Sequence, residues 1–99
     1  MHLQNNEIGK IENLVSLPNL NFLDFSLNRL HDISSLSSVP SLRVLMLGRN
    51  QITHISGLEA LVNLDVLDLH DNKIYKIQGL STQTKLRVLN LSENCLNKL

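Results

Sequence analysis

Leucines recur in this 99-residue chain at a fixed spacing of 22 residues. A constant period of that size constrains the fold more tightly than any local propensity, because every segment must be a copy of one structural unit. Leu20, Leu42, Leu64 and Leu86 open the unit, and Leu23, Leu45, Leu67 and Leu89 follow three residues on. Two further on stand Phe25, Leu47, Leu69 and Leu91, then Asn28, Asn50, Asn72 and Asn94. After the asparagines come Leu30, Ile52, Ile74 and Leu96, the row Ile33, Ile55, Ile77 and Leu99, then Leu36, Leu58 and Leu80, and finally Val39 and Leu61. The first residues fit the same frame one unit earlier through Leu3, Asn6, Ile8, Ile11, Leu14 and Leu17.

Each row has a physical reading. In Arg43-Val44-Leu45-Met46-Leu47 the residues alternate in direction along an extended strand, so Leu45 and Leu47 point inward while Val44 and Met46 point out. Each unit therefore contributes one short strand, stacked about 4.8 Å from the equivalent strand of the next unit. The asparagine row falls where the chain turns out of the strand, and an amide carries both donors and acceptors for the unpaired backbone of a bend. The apolar spacing of three in Ile33, Leu36 and Val39 suits three-residue, 3₁₀-type turns on the far side. The pattern L-x-x-L-x-L-x-x-N-x-L is that of the leucine-rich repeat. The expected fold is an α/β leucine-rich-repeat solenoid: a right-handed arc with a parallel sheet on its concave face and 3₁₀ or irregular turns on its convex side. One array of about four and a half repeats fills residues 1–99. It begins in mid-strand and stops in mid-coil without polar caps, which reads as a fragment of a longer array.

The 22-residue period with I-x-x-I-x-x-L after the asparagine resembles the intracellular leucine-rich-repeat class typified by the regulatory subunit of type-1 protein phosphatase. Ile55-Ser56-Gly57-Leu58-Glu59-Ala60-Leu61 and Ile77-Gln78-Gly79-Leu80 carry that likeness. The words L-R-V-L-M-L-G-R-N (42–50), L-D-V-L-D-L-H-D-N-K-I (64–74) and L-R-V-L-N-L (86–91) are also similar to the leucine-rich-repeat subunits of tubulin polyglutamylase complexes. The information beyond repeat consensus lies in Gly48, Asp65, Asp68 and His70. The first resemblance implies a phosphatase catalytic subunit as partner. The second implies a non-catalytic role in a tubulin-modifying complex, in the cytoplasm on microtubules or cilia.

Composition narrows the function further. Nine basic and nine acidic residues cancel, so no global field draws the chain to nucleic acid or an anionic membrane. The longest apolar run, Val44 to Leu47, is far short of the roughly 20 residues needed to span a bilayer. Met1 to Val15 shows no basic start followed by an apolar stretch, so no secretory signal is expected. Cys95, the single cysteine, has no intrachain partner and suits a reducing compartment.

With the core rows assigned, the outward strand positions are left to do chemistry. One row is Phe22, Val44, Val66 and Val88, and the next is His2, Asp24, Met46, Asp68 and Asn90. Beside them run Gln4, Ser26, Gly48, His70 and Ser92, then Asn5, Leu27, Arg49, Asp71 and Glu93. Such rows make a shallow curved sheet with no walls for a small molecule. The valine row reads either as a partner-binding stripe or as β-branched residues suited to parallel strands. The surrounding acids fit a basic partner segment, with Arg49 interrupting them. The candidate contact residues are Phe22, Asp24, Val44, Met46, Arg49, Val66, Asp68, His70, Asp71, Val88 and Asn90.

Other constellations fall short. Asp68 and His70 share a face, but a closed zinc site wants four ligands. Ser26, His70 and Asp68 are hydrolase residue types on a flat strand surface with no oxyanion hole. Cys95 has no adjacent cation to activate it. The sequon Asn90-Leu91-Ser92 falls in an expected strand, and Arg43-Val44 and Arg87-Val88 lack the aromatic of a phosphatase-docking word. Asp65 lies between Arg43 and Arg87 at one repeat position, which reads as cross-strand charge alternation. Gln83 stands where Val39 and Leu61 stand in earlier repeats, and a tolerated polar residue on an exposed convex side is expected there. No cofactor and no catalysis are expected; the chain reads as a monomeric scaffold presenting its concave sheet to a protein.

Overall fold

A computed structural model describes residues 20–31, 33, 36, 39–76 and 78–95. The coil expected over Leu3 to Leu17 lies outside them, as do Ile77, Leu96 and Leu99. Among the described residues four strands form one sheet: β1 (Phe22–Asp24), β2 (Val44–Met46), β3 (Val66–Asp68) and β4 (Val88–Asn90). They pair in parallel in chain order, β1-β2-β3-β4. The register matches the sequence period, since Phe22 faces Val44, Val44 faces Val66 and Val66 faces Val88.

The alternation expected of the strands is present. Leu23, Leu45 and Leu67 are fully buried at the strand centres, flanked by half-buried residues on the solvent face. Phe25, Leu47 and Leu69, Leu30, Ile52 and Ile74, and the convex rows Ile33/Ile55, Leu36/Leu58 and Val39/Leu61 complete one continuous core. Truncating one such leucine to alanine typically costs about 2–5 kcal/mol. Among the described residues β4 pairs with β3 alone, and there Leu89 is 39% exposed.

The convex side turns in steps of three residues. The Leu36 N–H donates to Ile33 O at 3.3 Å, Val39 to Leu36 at 3.1 Å and Leu42 to Val39 at 3.3 Å. The same steps recur from Leu61 to Leu58 and from Leu64 to Leu61. Consecutive apolar rows are thus joined by the short 3₁₀-type bonds that their spacing requires.

The asparagines staple each coil to its predecessor. Asn72 Nδ2 donates to Leu47 O and Leu69 O, both at 3.0 Å, and to His70 O at 3.2 Å, while its Oδ1 accepts the Ile52 N–H at 3.1 Å. Asn50 repeats the set on Phe25 O, Leu47 O, Gly48 O and the Leu30 N–H, and Asn94 on Leu69 O, Leu91 O, Ser92 O and the Ile74 N–H. No apolar residue can replace these bonds, because the carbonyls at the bend have left the strand ladder.

Gln83 corrects the sequence reading. It is buried, not exposed, and its Nε2 donates to Leu58 O at 2.6 Å and Leu61 O at 3.2 Å in the preceding coil. The side chain substitutes polar cross-coil bonds for the apolar anchor of its row. Its Oε1 is buried with no hydrogen-bond partner among the described residues, and so is Thr82 Oγ1.

Two glycine positions are dictated by space. At Gly79, with φ at 71°, a Cβ would lie 2.4 Å from the Ile55 carbonyl oxygen. At Gly48 a Cβ would meet the His70 ring at 2.1 Å. The imidazole occupies the space that Gly48 leaves open over the neighbouring strand, and a larger residue there would require the ring to move.

Candidate functional site

The solvent face of the sheet is built from in-register rows. Phe22, Val44, Val66 and Val88 form an apolar stripe, with Val88 51% exposed and the others half-buried. Behind them, Asp24, Met46, Asp68 and Asn90 end the strands. Three of these four turn a side-chain oxygen back to the backbone two residues on. Asp24 Oδ1 accepts the Ser26 N–H at 2.9 Å, Asp68 Oδ1 the His70 N–H at 3.0 Å, and Asn90 Oδ1 the Ser92 N–H at 3.0 Å. The carbonyls next in the ladder are engaged by the asparagine amides, so this N–H needs a local acceptor, and Asp or Asn supplies it. Met46 has no such oxygen.

Asp68 also accepts from the His70 ring. Nδ1 and Asp68 Oδ1 are 2.7 Å apart, and since an ionised carboxylate only accepts, Nδ1 carries the proton. The imidazole is thereby fixed over Gly48 with Nε2 left for other partners. Among the described residues no group of three or more His, Cys, Asp or Glu side chains is placed to hold a metal ion.

Leu27, Arg49, Asp71 and Glu93, one before each asparagine, hold left-handed backbone with φ of 61°, 58°, 55° and 58°. That conformation costs a non-glycine residue about 1–2 kcal/mol. It turns the chain so that the Leu27, Arg49 and Asp71 N–H groups bond the next coil at Gly48 O, His70 O and Ser92 O. The side chains splay outward as a result: Arg49 Nε stands 3.9 Å from Asp71 Oδ2, with both half or more exposed.

The strand-entry edge behaves differently. Arg87 grips Asp65 with two hydrogen bonds, Nε to Oδ1 at 2.6 Å and Nη2 to Oδ2 at 2.7 Å. That guanidinium holds the Asp65 carboxyl below its ordinary value, and the carboxylate raises Arg87 in turn. Arg43 reaches Asp65 through electrostatics alone. The charge alternation is therefore one tight pair and one outlying cation.

A family model for leucine-rich repeats in two copies matches residues 18–60 and 40–82. The chain belongs to the leucine-rich-repeat proteins. Leucine-rich-repeat structures with the same coil include internalin C2 of Listeria monocytogenes, with TM-score 0.85 and 32% identity over 92% of this chain and 40% of that one. A chain of the Drosophila melanogaster SNF/U2A′ complex has TM-score 0.82 and 32% identity over 96% of this chain and 58% of that one. InlJ of Listeria monocytogenes has TM-score 0.77 and 28% identity, and the chain spans 20% of its length. The chain thus spans between 20% and 58% of these solved leucine-rich-repeat chains, less than two thirds of each. No curated protein sequence matches.

Leucine-rich-repeat arrays are protein-interaction modules, and this one brings all eleven sequence-designated residues onto one surface or its rim. Not all are equally available. Asp24, Asp68 and Asn90 are partly committed to the strand ends, whereas Val44, Met46, Val66 and Val88 have no polar duty. Sequence reasoning missed the pairing of His54 with Tyr75. Tyr75 Oη lies 2.6 Å from His54 Nε2, Thr53 Oγ1 lies 2.9 Å from His54 Nδ1, and the rings meet edge to face at 5.2 Å. The available signal was that Thr53 and Tyr75 share one repeat position.

Proposed function

We propose that the chain is a non-catalytic scaffold that binds a protein partner on the solvent face of its sheet, the concave side of the solenoid. The observation that carries this reading is the apolar stripe Phe22-Val44-Val66-Val88, with Met46 beside it, which continues across four strands, the first three of which bury their opposite face in the core. Aligned apolar side chains within a polar rim are how solenoids bind proteins. The rim carries Asp24, Asp68, Asp71 and Glu93 against Arg49, which favours a partner segment of mild positive charge. One structural neighbour belongs to a protein complex, SNF/U2A′, in line with an assembly role.

The partner we favour is a tubulin-modifying complex of the polyglutamylase type, which places the chain in the cytoplasm on microtubules or cilia. Support comes from the words at 42–50, 64–74 and 86–91, whose non-consensus residues include the interlocked Gly48 and His70. The alternative partner is the type-1 phosphatase catalytic subunit, supported by the Ile-x-Gly-Leu words at 55–58 and 77–80. Affinity capture of the tagged chain from a ciliated-cell lysate, read by mass spectrometry, separates them. Tubulin-modifying subunits recovered with the native chain and lost with Val66→Arg support the first reading. Phosphatase catalytic subunit supports the second, and capture unchanged by Val66→Arg removes the sheet face from the proposal.

A further inference from the structure

Asn21, Ser41, Arg43, Asn63 and Lys85 line a cleft of about 290 Å³ at the strand-entry edge, away from the solvent face of the sheet. We propose that this cleft binds a carboxylate of an acidic segment in a protein partner, as a second contact independent of the sheet face.

The lining is rich in donors and contains no acid. Arg43 is exposed, and its guanidinium makes no hydrogen bond among the described residues, so its planar fork is open to a two-oxygen acceptor. Among the described residues Lys85 Nζ donates once, to Asn63 Oδ1 at 3.0 Å, which leaves two of its N–H groups for an acceptor. Asn63 gives its oxygen to Lys85, and its amide nitrogen adds donors to the lining. Ser41 is spent on Leu20 O at 2.7 Å and serves the wall alone. Asp65, the acid that would quench Arg43, is held bidentate by Arg87.

Charge separation supports the same occupant. The chain has no net charge, yet acids gather around the sheet face while Arg43 and Lys85 stand together at the entry edge. A carboxylate there meets two cations, and the nearest acid, Asp65, is already paired with Arg87. Nucleic acid fits poorly, because no aromatic side chain lines the cleft to stack a base and two cations track too little backbone.

A fluorescein-labelled hexaglutamate peptide, titrated with the full chain at low ionic strength and followed by anisotropy, tests the proposal. Saturable binding that weakens about tenfold or more with Arg43→Gln, weakens with Lys85→Gln and collapses at high salt supports it. Asp65→Asn releases Arg87 and removes the nearest negative charge, so it is expected to tighten binding several-fold. All three variants sit at exposed or edge side chains, and circular dichroism checks that each remains folded. No saturable binding, or equal binding by Arg43→Gln, overturns the proposal. Displacement by inorganic phosphate at concentrations below those of acetate needed for the same effect also overturns it, in favour of a phosphate site.

Discussion

Replacing Gln83 by leucine is expected to stabilise the protein, although it deletes two cross-coil hydrogen bonds. Nε2 bonds Leu58 O and Leu61 O at 2.6 and 3.2 Å. Both carbonyls keep an acceptor role without it, since they already receive the Leu61 and Leu64 N–H groups at 3.0 and 3.3 Å. Losing two such bonds costs about 2 kcal/mol net. Against this, the mutation removes the orphaned, buried Oε1, whose desolvation costs about 1–3 kcal/mol. Filling the same space with an apolar chain adds about 1.5–3 kcal/mol, and Val39 and Leu61 show that this row accepts apolar side chains. These terms sum to about 0.5–4 kcal/mol of added stability, which for a domain of this size raises Tm by roughly 2 °C or more. Thermal unfolding followed by far-ultraviolet circular dichroism measures it, with Gln83→Ala as the control that loses the bonds and the stranded oxygen without filling the space. A Tm for Gln83→Leu below that of the native protein would refute the reasoning and show that the polar cross-link outweighs its stranded oxygen.

Asn72→Ala removes four bonds to two coils and strands the buried Ile52 N–H, so denaturant unfolding is expected to show a loss of about 3–5 kcal/mol. Gly79→Ala forces a Cβ against the Ile55 carbonyl in a left-handed conformation and is expected to cost about 2–3 kcal/mol by the same measurement; a loss below 0.5, within ~the range of neutral surface changes, contradicts the steric account. The Asp65–Arg87 pair sets a pH dependence. A carboxyl depressed by its hydrogen bond from Arg87 stabilises the fold fully above its ordinary value of about 4, and that stability is lost as pH falls through the lower folded value. The stability difference between native protein and Asp65→Asn is therefore expected to be constant near neutral pH and to vanish in acid; a difference that grows on acidification contradicts it.

The fold was legible because its determinants repeat. Leu45 and Leu67 identify a buried strand position by recurring at one spacing, and no tertiary knowledge is needed to see it. The asparagine turns and the three-residue convex steps were legible for the same reason, since each follows from backbone groups that must find partners. What repetition could not carry is the choice between alternative partners within a row, or any interaction between unlike positions. Asp65 sits between Arg43 and Arg87 in sequence period, yet the choice of Arg87 depends on side-chain rotamers. Gln83 looked like a surface substitution because a period reports position and not whether an amide can reach two carbonyls in the neighbouring coil. The His54–Tyr75 contact and the cleft at Arg43 and Lys85 join residues of different rows, where the repeat is silent. The sheet face was predictable as a surface, but the partial commitment of Asp24, Asp68 and Asn90 to strand ends required the geometry.

Hydroxyl-radical footprinting of the captured complex tests the sheet-face account most directly. Met46 and His70 are oxidisable side chains on that face, and Tyr75 is an exposed one on the flank. The account predicts that partner binding protects Met46 and His70 and leaves Tyr75 as reactive as in the free chain. Protection of Tyr75 with Met46 and His70 unchanged would contradict it and move the interface to the flank.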